Sequence, residues 1–144
     1  MYNGVKNTAL FKNVKMTFAD PIKGVNKSPK ILMIGDSITN GEMPATVKYW
    51  LKKMGYTPTF LGTVNNMFDY GLGLSGLEQT NGEGRGGWRI TDYTGTTKRT
   101  DGSTFLKSDN PFWNPTTQSF DFSHYMTTNS YTGVDYVVIM LGTN

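Results

Sequence analysis

Two short, uninterrupted apolar runs limit what this chain can fold into more than any other feature. Lys30-Ile31-Leu32-Met33-Ile34-Gly35 and Val134 to Leu141 lack the polar-apolar alternation of a strand with one wet face. Runs of this length that are apolar throughout suit strands buried on both faces, which are typical of parallel sheets covered by helices. About a hundred residues separate the two runs, and each ends on a glycine followed by small polar residues, Gly35-Asp36-Ser37 and Gly142-Thr143-Asn144.

The residues after the first run support a crossover. Val47, Trp50, Leu51 and Met54 recur at i, i+3, i+4 and i+7, with Lys48, Lys52 and Lys53 between them, so Met43 to Met54 is predicted helical with these four on its apolar face. Pro44 suits the first turn and Gly55 the end. Thr57 to Val64 is predicted as a second strand, completing a strand-helix-strand unit with a right-handed parallel crossover. Ahead of it, residues 1–28 read as a β-like lead-in or linker, punctuated by Pro21, Gly24, Asn26, Ser28 and Pro29. From Asn65 to Thr132 periodicity nearly vanishes, which inside a compact domain points to a functional loop; its best helical candidate is Phe122 to Asn129.

Composition excludes several classes. A length of 144 residues allows one domain, with residues 29–144 as its body, and 37% hydrophobic with 17% charged residues argues for a packed globule rather than disorder. The net charge of +3 comes from scattered lysines and arginines that form no phosphate-tracking stripe, so nucleic acid is not an expected partner. Without cysteine there can be no disulfide, thiolate metal site or cysteine nucleophile. No stretch approaches the roughly 18 apolar residues of a membrane span, and Asn and Lys interrupt the N-terminus where a signal peptide needs a continuous apolar core.

In an open parallel sheet, ligands sit beyond the carboxyl ends of the strands. With strand order 2-1-3, the first and third strands are neighbours, and Ser37 and Asn144 emerge on one edge. A serine entering a helix lies among backbone N–H groups suited to an oxyanion. Taken singly, Ser37 or Thr39 as a helix cap and Asn144 as a turn residue are the simpler readings.

Together with their neighbours they form a pattern. Gly35-Asp36-Ser37-Ile38-Thr39 resembles the first block of the SGNH (GDSL-type) hydrolases, and Leu141-Gly142-Thr143-Asn144 resembles their third. Between them, Glu83-Gly84-Arg85-Gly86-Gly87-Trp88-Arg89-Ile90 is similar to the glycine block of the carbohydrate-esterase branch, near the family three acetyl esterases. Asn110-Pro-Phe-Trp-Asn and Phe120-Asp-Phe-Ser-His-Tyr-Met also resemble bacterial and phage-borne members, so the likeness spans Lys30 to Asn144. It implies a flavodoxin-like α/β/α fold with a parallel sheet, of which this chain holds the N-terminal portion, and removal of acetyl or other acyl groups from a carbohydrate without cofactor or metal. A secreted, cell-surface or virion setting is expected over a cytoplasmic one.

By that resemblance Ser37 is the nucleophile, and its N–H, the Gly84 N–H and the Asn144 carboxamide form the oxyanion hole. Gly87 is the second choice for the glycine donor, and Asp36 orients the turn. Trp88 and Arg85 are candidate substrate contacts. Phe112, Trp113 and Tyr125 are equally candidates for sugar stacking or for packing. The same glycines satisfy G-x-G-x-x-G at Gly82, Gly84 and Gly87, but the polar stretch Ser75 to Asn81 is no buried strand, so a dinucleotide site is discounted.

Family members place an Asp-x-x-His motif after the asparagine block. It is expected here from a C-terminal half or a second chain. His124, the only histidine, stands in Asp121-Phe-Ser-His124 with that spacing but precedes the third strand, and is read as structural. The alternative function is an inactive glycan-binding or structural module on the same fold; a phosphate-binding flavodoxin-like domain ranks third.

Overall fold

The computed structural model describes residues 25–65, 75–94 and 110–144. The predicted lead-in as far as residue 24, and parts of the long loop, lie outside the described residues.

Strand β1 (Lys30–Gly35) is the centre of a parallel sheet. Along one edge it pairs with β2 (Thr59–Leu61) through Lys30, Ile31 and Leu32, then with β3 (Glu83–Gly84) through Ile34 and Gly35. Along the other it pairs with β6 (Tyr136–Met140) from Ile31 to Gly35. Because β6 faces β1 residues that also face β2 and β3, the latter two must lie end to end on the opposite edge. The order β2-β1-β6 makes the first and third predicted strands neighbours, as expected, and the protein is of the α/β class.

The chain can leave β2 and return as β3 because Gly62, at φ 148°, packs on the Gly82 backbone so closely that any Cβ would overlap it. Val64 and Gly82 then exchange two hydrogen bonds of 3.0 and 2.9 Å across an antiparallel bridge. This short return was invisible in the sequence, since a two-residue strand has no periodicity to detect.

Helix α1 (Met43–Lys53) has Pro44 in its first turn. It ends in a Schellman motif: Gly55 at φ 83° donates to Lys52 O at 3.0 Å, and Tyr56 N donates to Leu51 O at 3.0 Å. Its packed face differs from the predicted one. Met43, Val47 and Leu51 cover Ile31, Met33 and Phe60, whereas Trp50 and Met54 are about half exposed, at 50% and 45%. The packed residues form an i, i+4, i+8 row, and Trp50, three residues past Val47, falls off that row.

The opposite face of β1, Leu32 and Ile34, lies under a mostly aromatic layer. Helix α2 (Ile90–Thr94) brings Tyr93, helix α3 (Phe122–Thr128) brings Tyr125, and Phe112 precedes the hairpin of β4 (Trp113–Asn114) and β5 (Ser119–Phe120). The rings of Phe112 and Tyr125 lie 4.3 Å apart, and those of Trp88 and Tyr93 4.8 Å apart. With α1 beneath and this layer above, β1 is buried on both faces, which is why its sequence does not alternate. The expectation that Val134 to Leu141 is a second strand buried on both faces is corrected at β6: all five of its residues are exposed although all are apolar or aromatic, because among the described residues no helix covers it.

Candidate active site

Gly35 is where the three sequence blocks meet. The sheet register places Gly84 opposite it on one edge and Met140 opposite it on the other. Ser37 therefore leaves the carboxyl end of β1 two residues past Gly35, and Asn144 lies four residues past Met140 on the same end of the sheet.

The turn carrying Ser37 is pinned by its neighbour. Asp36 is fully buried, its Oδ1 accepts from Ile38 N at 3.0 Å, and its carbonyl accepts from Asn40 N at 2.9 Å. Asp36 thus orients the turn. Ser37 itself is half-buried and lines an apolar groove of about 500 Å³ with Ile38, Met43, Val47 and Met140.

Two glycines let the segments close up. A Cβ on Gly35 would collide with Thr39 Oγ1 and the Met140 carbonyl, and a Cβ on Gly84 would collide with the backbone of Thr39 and Asn40. Gly84 therefore packs directly against the turn that follows Ser37. Arg85 N donates to Gly35 O at 2.9 Å, continuing the strand pairing one step further. The loop then turns back through Trp88 N to Arg85 O at 3.1 Å, with Gly87 at φ 70°. Asn144 Nδ2 donates to the Trp88 carbonyl at 3.2 Å, which ties the end of the third block to the glycine loop.

The predicted substrate contacts are corrected here. Trp88 is 2% exposed and its indole belongs to the core, so it presents no face on which a sugar could stack. Phe112 and Tyr125 are fully buried for the same reason. The Arg85 guanidinium is mostly buried, pairs with Glu83 at 2.8 Å, reaches Thr63 Oγ1 at 3.2 Å and lies over the Trp88 ring at 5.2 Å. These side chains build the loop and do not line an opening.

The motif Asp121-Phe-Ser-His124 is a helix start. Asp121 is the N-cap of α3; its Oδ1 accepts from the His124 backbone N at 2.9 Å and its Oδ2 from Asn114 Nδ2 at 2.9 Å. The three-residue spacing is that of an N-cap and its N3 partner, and both carboxylate oxygens have partners other than the imidazole.

Glu83 and its partners were missed. Glu83 is fully buried and accepts from Thr63 N at 2.6 Å, Thr63 Oγ1 at 3.1 Å, Arg85 at 2.8 Å and Tyr125 Oη at 2.9 Å. The Tyr93 hydroxyl lies 2.8 Å from Gly35 O and 2.6 Å from Glu83 O, joining β1 to β3 from the side. Burial pushes the Tyr93 phenol far above its usual range. It does the same to Tyr125, helped by the neighbouring Glu83 charge. One sequence signal was available: Glu83 and Arg85, two apart on an extended segment, project to the same side and can pair.

The molecule is thus an α/β protein whose parallel sheet gathers a serine turn, a glycine loop and an asparagine at one end. Searches against family models, curated proteins and solved structures find no match for this chain.

Proposed function

We propose that this chain supplies the nucleophile and oxyanion-binding groups of a serine ester hydrolase of the SGNH type, acting on an acylated carbohydrate. On this reading the sheet is the N-terminal part of a flavodoxin-like α/β/α domain. The observation that carries it is the register at Gly35, which supports a common site for three blocks far apart in sequence.

In the proposed reaction Ser37 Oγ attacks the ester carbonyl carbon, and the carbonyl oxygen takes up negative charge. The N–H groups of Ser37 and Gly84 donate to that oxygen. Asn144 has two amide hydrogens; one on the Trp88 carbonyl orients the group, and the other is left for the oxyanion. A general base accepts the serine proton and returns it to the departing sugar hydroxyl, and water then hydrolyses the acyl-enzyme. With Asp121 engaged as a helix cap, the base comes from a further segment or a second polypeptide bearing Asp-x-x-His. The exposed apolar residues of β6 and the groove beside Ser37 are the surface such a segment covers.

The test is release of acetate from acetylated xylan, or of nitrophenol from p-nitrophenyl acetate, by the complete protein. Ser37→Ala should lower the rate by on the order of 10⁶-fold. Equal release by wild type and variant rules the reading out. A second reading, an inactive glycan-binding or structural module, is favoured by the engagement of Asp121 away from the only imidazole. It predicts retention on acetylated xylan without any acetate release.

A further inference from the structure

Strand β3 is only two residues long and shares just Glu83 and Gly84 with β1, flanked by the Val64–Gly82 bridge on one side and the Arg85 N to Gly35 O hydrogen bond on the other. So short a main-chain pairing needs side-chain reinforcement if Gly84 is to keep its position beside the serine turn.

The Glu83 side chain answers that requirement. A carboxylate removed from water is strongly disfavoured unless it is paired and hydrogen-bonded, and this one is both. Its four donors come from the chain just beyond β2, from the residue that follows Gly84, and from helix α3. Its own main-chain carbonyl is meanwhile held, with that of Gly35, by Tyr93 of α2. Movement of Gly84 along β1 would drag the carboxylate, together with Arg85, off Thr63 and Tyr125 at once.

We infer that Glu83 is the positioning residue of the site: its buried carboxylate, clamped by Thr63, Arg85 and Tyr125, fixes Gly84 in register with Gly35 and so places the Gly84 N–H relative to Ser37. The inference rests on the hydrolase reading for its catalytic consequence and on the hydrogen-bond network for its structural one. The two are separable by experiment.

The substitution Glu83→Gln keeps the volume and one acceptor oxygen but removes the charge that holds Arg85. In the complete protein it should lower kcat roughly 10- to 100-fold, with KM within about threefold, as expected when a transition-state donor is misplaced and ground-state binding is retained. It should also shift the Gly84 and Arg85 amide resonances and speed their hydrogen exchange. Should the glutamine variant fail to fold, Tyr125→Phe removes one donor while keeping the ring, and should move the same two amides in the same direction by less.

A lowered melting temperature with kcat and both amides unchanged overturns the inference, because Glu83 would then contribute to stability alone. Unmoved amides overturn it even if kcat falls. A wild-type protein that cleaves no ester while its Gly84 amide still responds to the substitution overturns the hydrolase reading and supports the positioning.

Discussion

At Gly84 the absence of a side chain is itself structural. Its Cα faces the backbone of Thr39 and Asn40, so Gly84→Ala must push the glycine loop away from the serine turn. Since main chain cannot rotate aside as a side chain can, the substitution should destabilise the fold by about 3 kcal/mol, measurable by urea denaturation. Ser37, Gly84 and Asn144 were legible as candidates because each stands in a short pattern whose residue types have few substitutes. Trp88 and Arg85 were not, because an aromatic or a cation looks the same in sequence whether it meets a ligand or a neighbour. Burial of the indole among residues distant in sequence, and pairing of the guanidinium with Glu83, decided the matter.

Among the elements, α1 and α3 were predicted within a residue or two of their observed bounds, α1 from the local signals of apolar periodicity, an early proline and a terminal glycine. Strand β3 and the β4-β5 hairpin were missed, since strands of two residues are too short to show periodicity, and β3 in addition pairs with a strand distant in sequence. Helix α3 carries a prediction in pH. Hydrogen bonds from His124 N and then Asn114 hold the Asp121 carboxyl below its ordinary value of 3.8. A lowered folded value means that the cap's contribution is complete above that ordinary value and is lost as pH falls through the lowered one. Melting temperatures recorded between about pH 6 and about pH 2 should therefore drop more for the wild type than for Asp121→Asn, which keeps a capping oxygen but does not titrate. Parallel curves for the two proteins would show that the cap contributes no acid sensitivity.

The molecule as a whole is unevenly covered. β1 is enclosed on both faces, while its neighbour β6 exposes Tyr136 at 61% and Ile139 at 66%. An apolar strand with uncovered faces is prone to pair with other chains. The isolated 144-residue polypeptide should self-associate, and Ile139→Lys should raise the concentration at which it does so by on the order of tenfold, read by sedimentation velocity. An unchanged onset would place the associating surface elsewhere. By itself, the sequence determined the class of sheet, because unbroken apolar runs suit parallel strands, but not which run would be enclosed: β1 is buried and β6 is exposed although both runs are apolar. It also showed the serine, glycine and asparagine patterns, because each is local. Only the tertiary structure decided which face of α1 packs, that the conspicuous aromatics fill the core, and that a buried glutamate locks the glycine loop. Those outcomes follow from which surfaces meet across β1, a property of three-dimensional neighbours that no window along the chain contains.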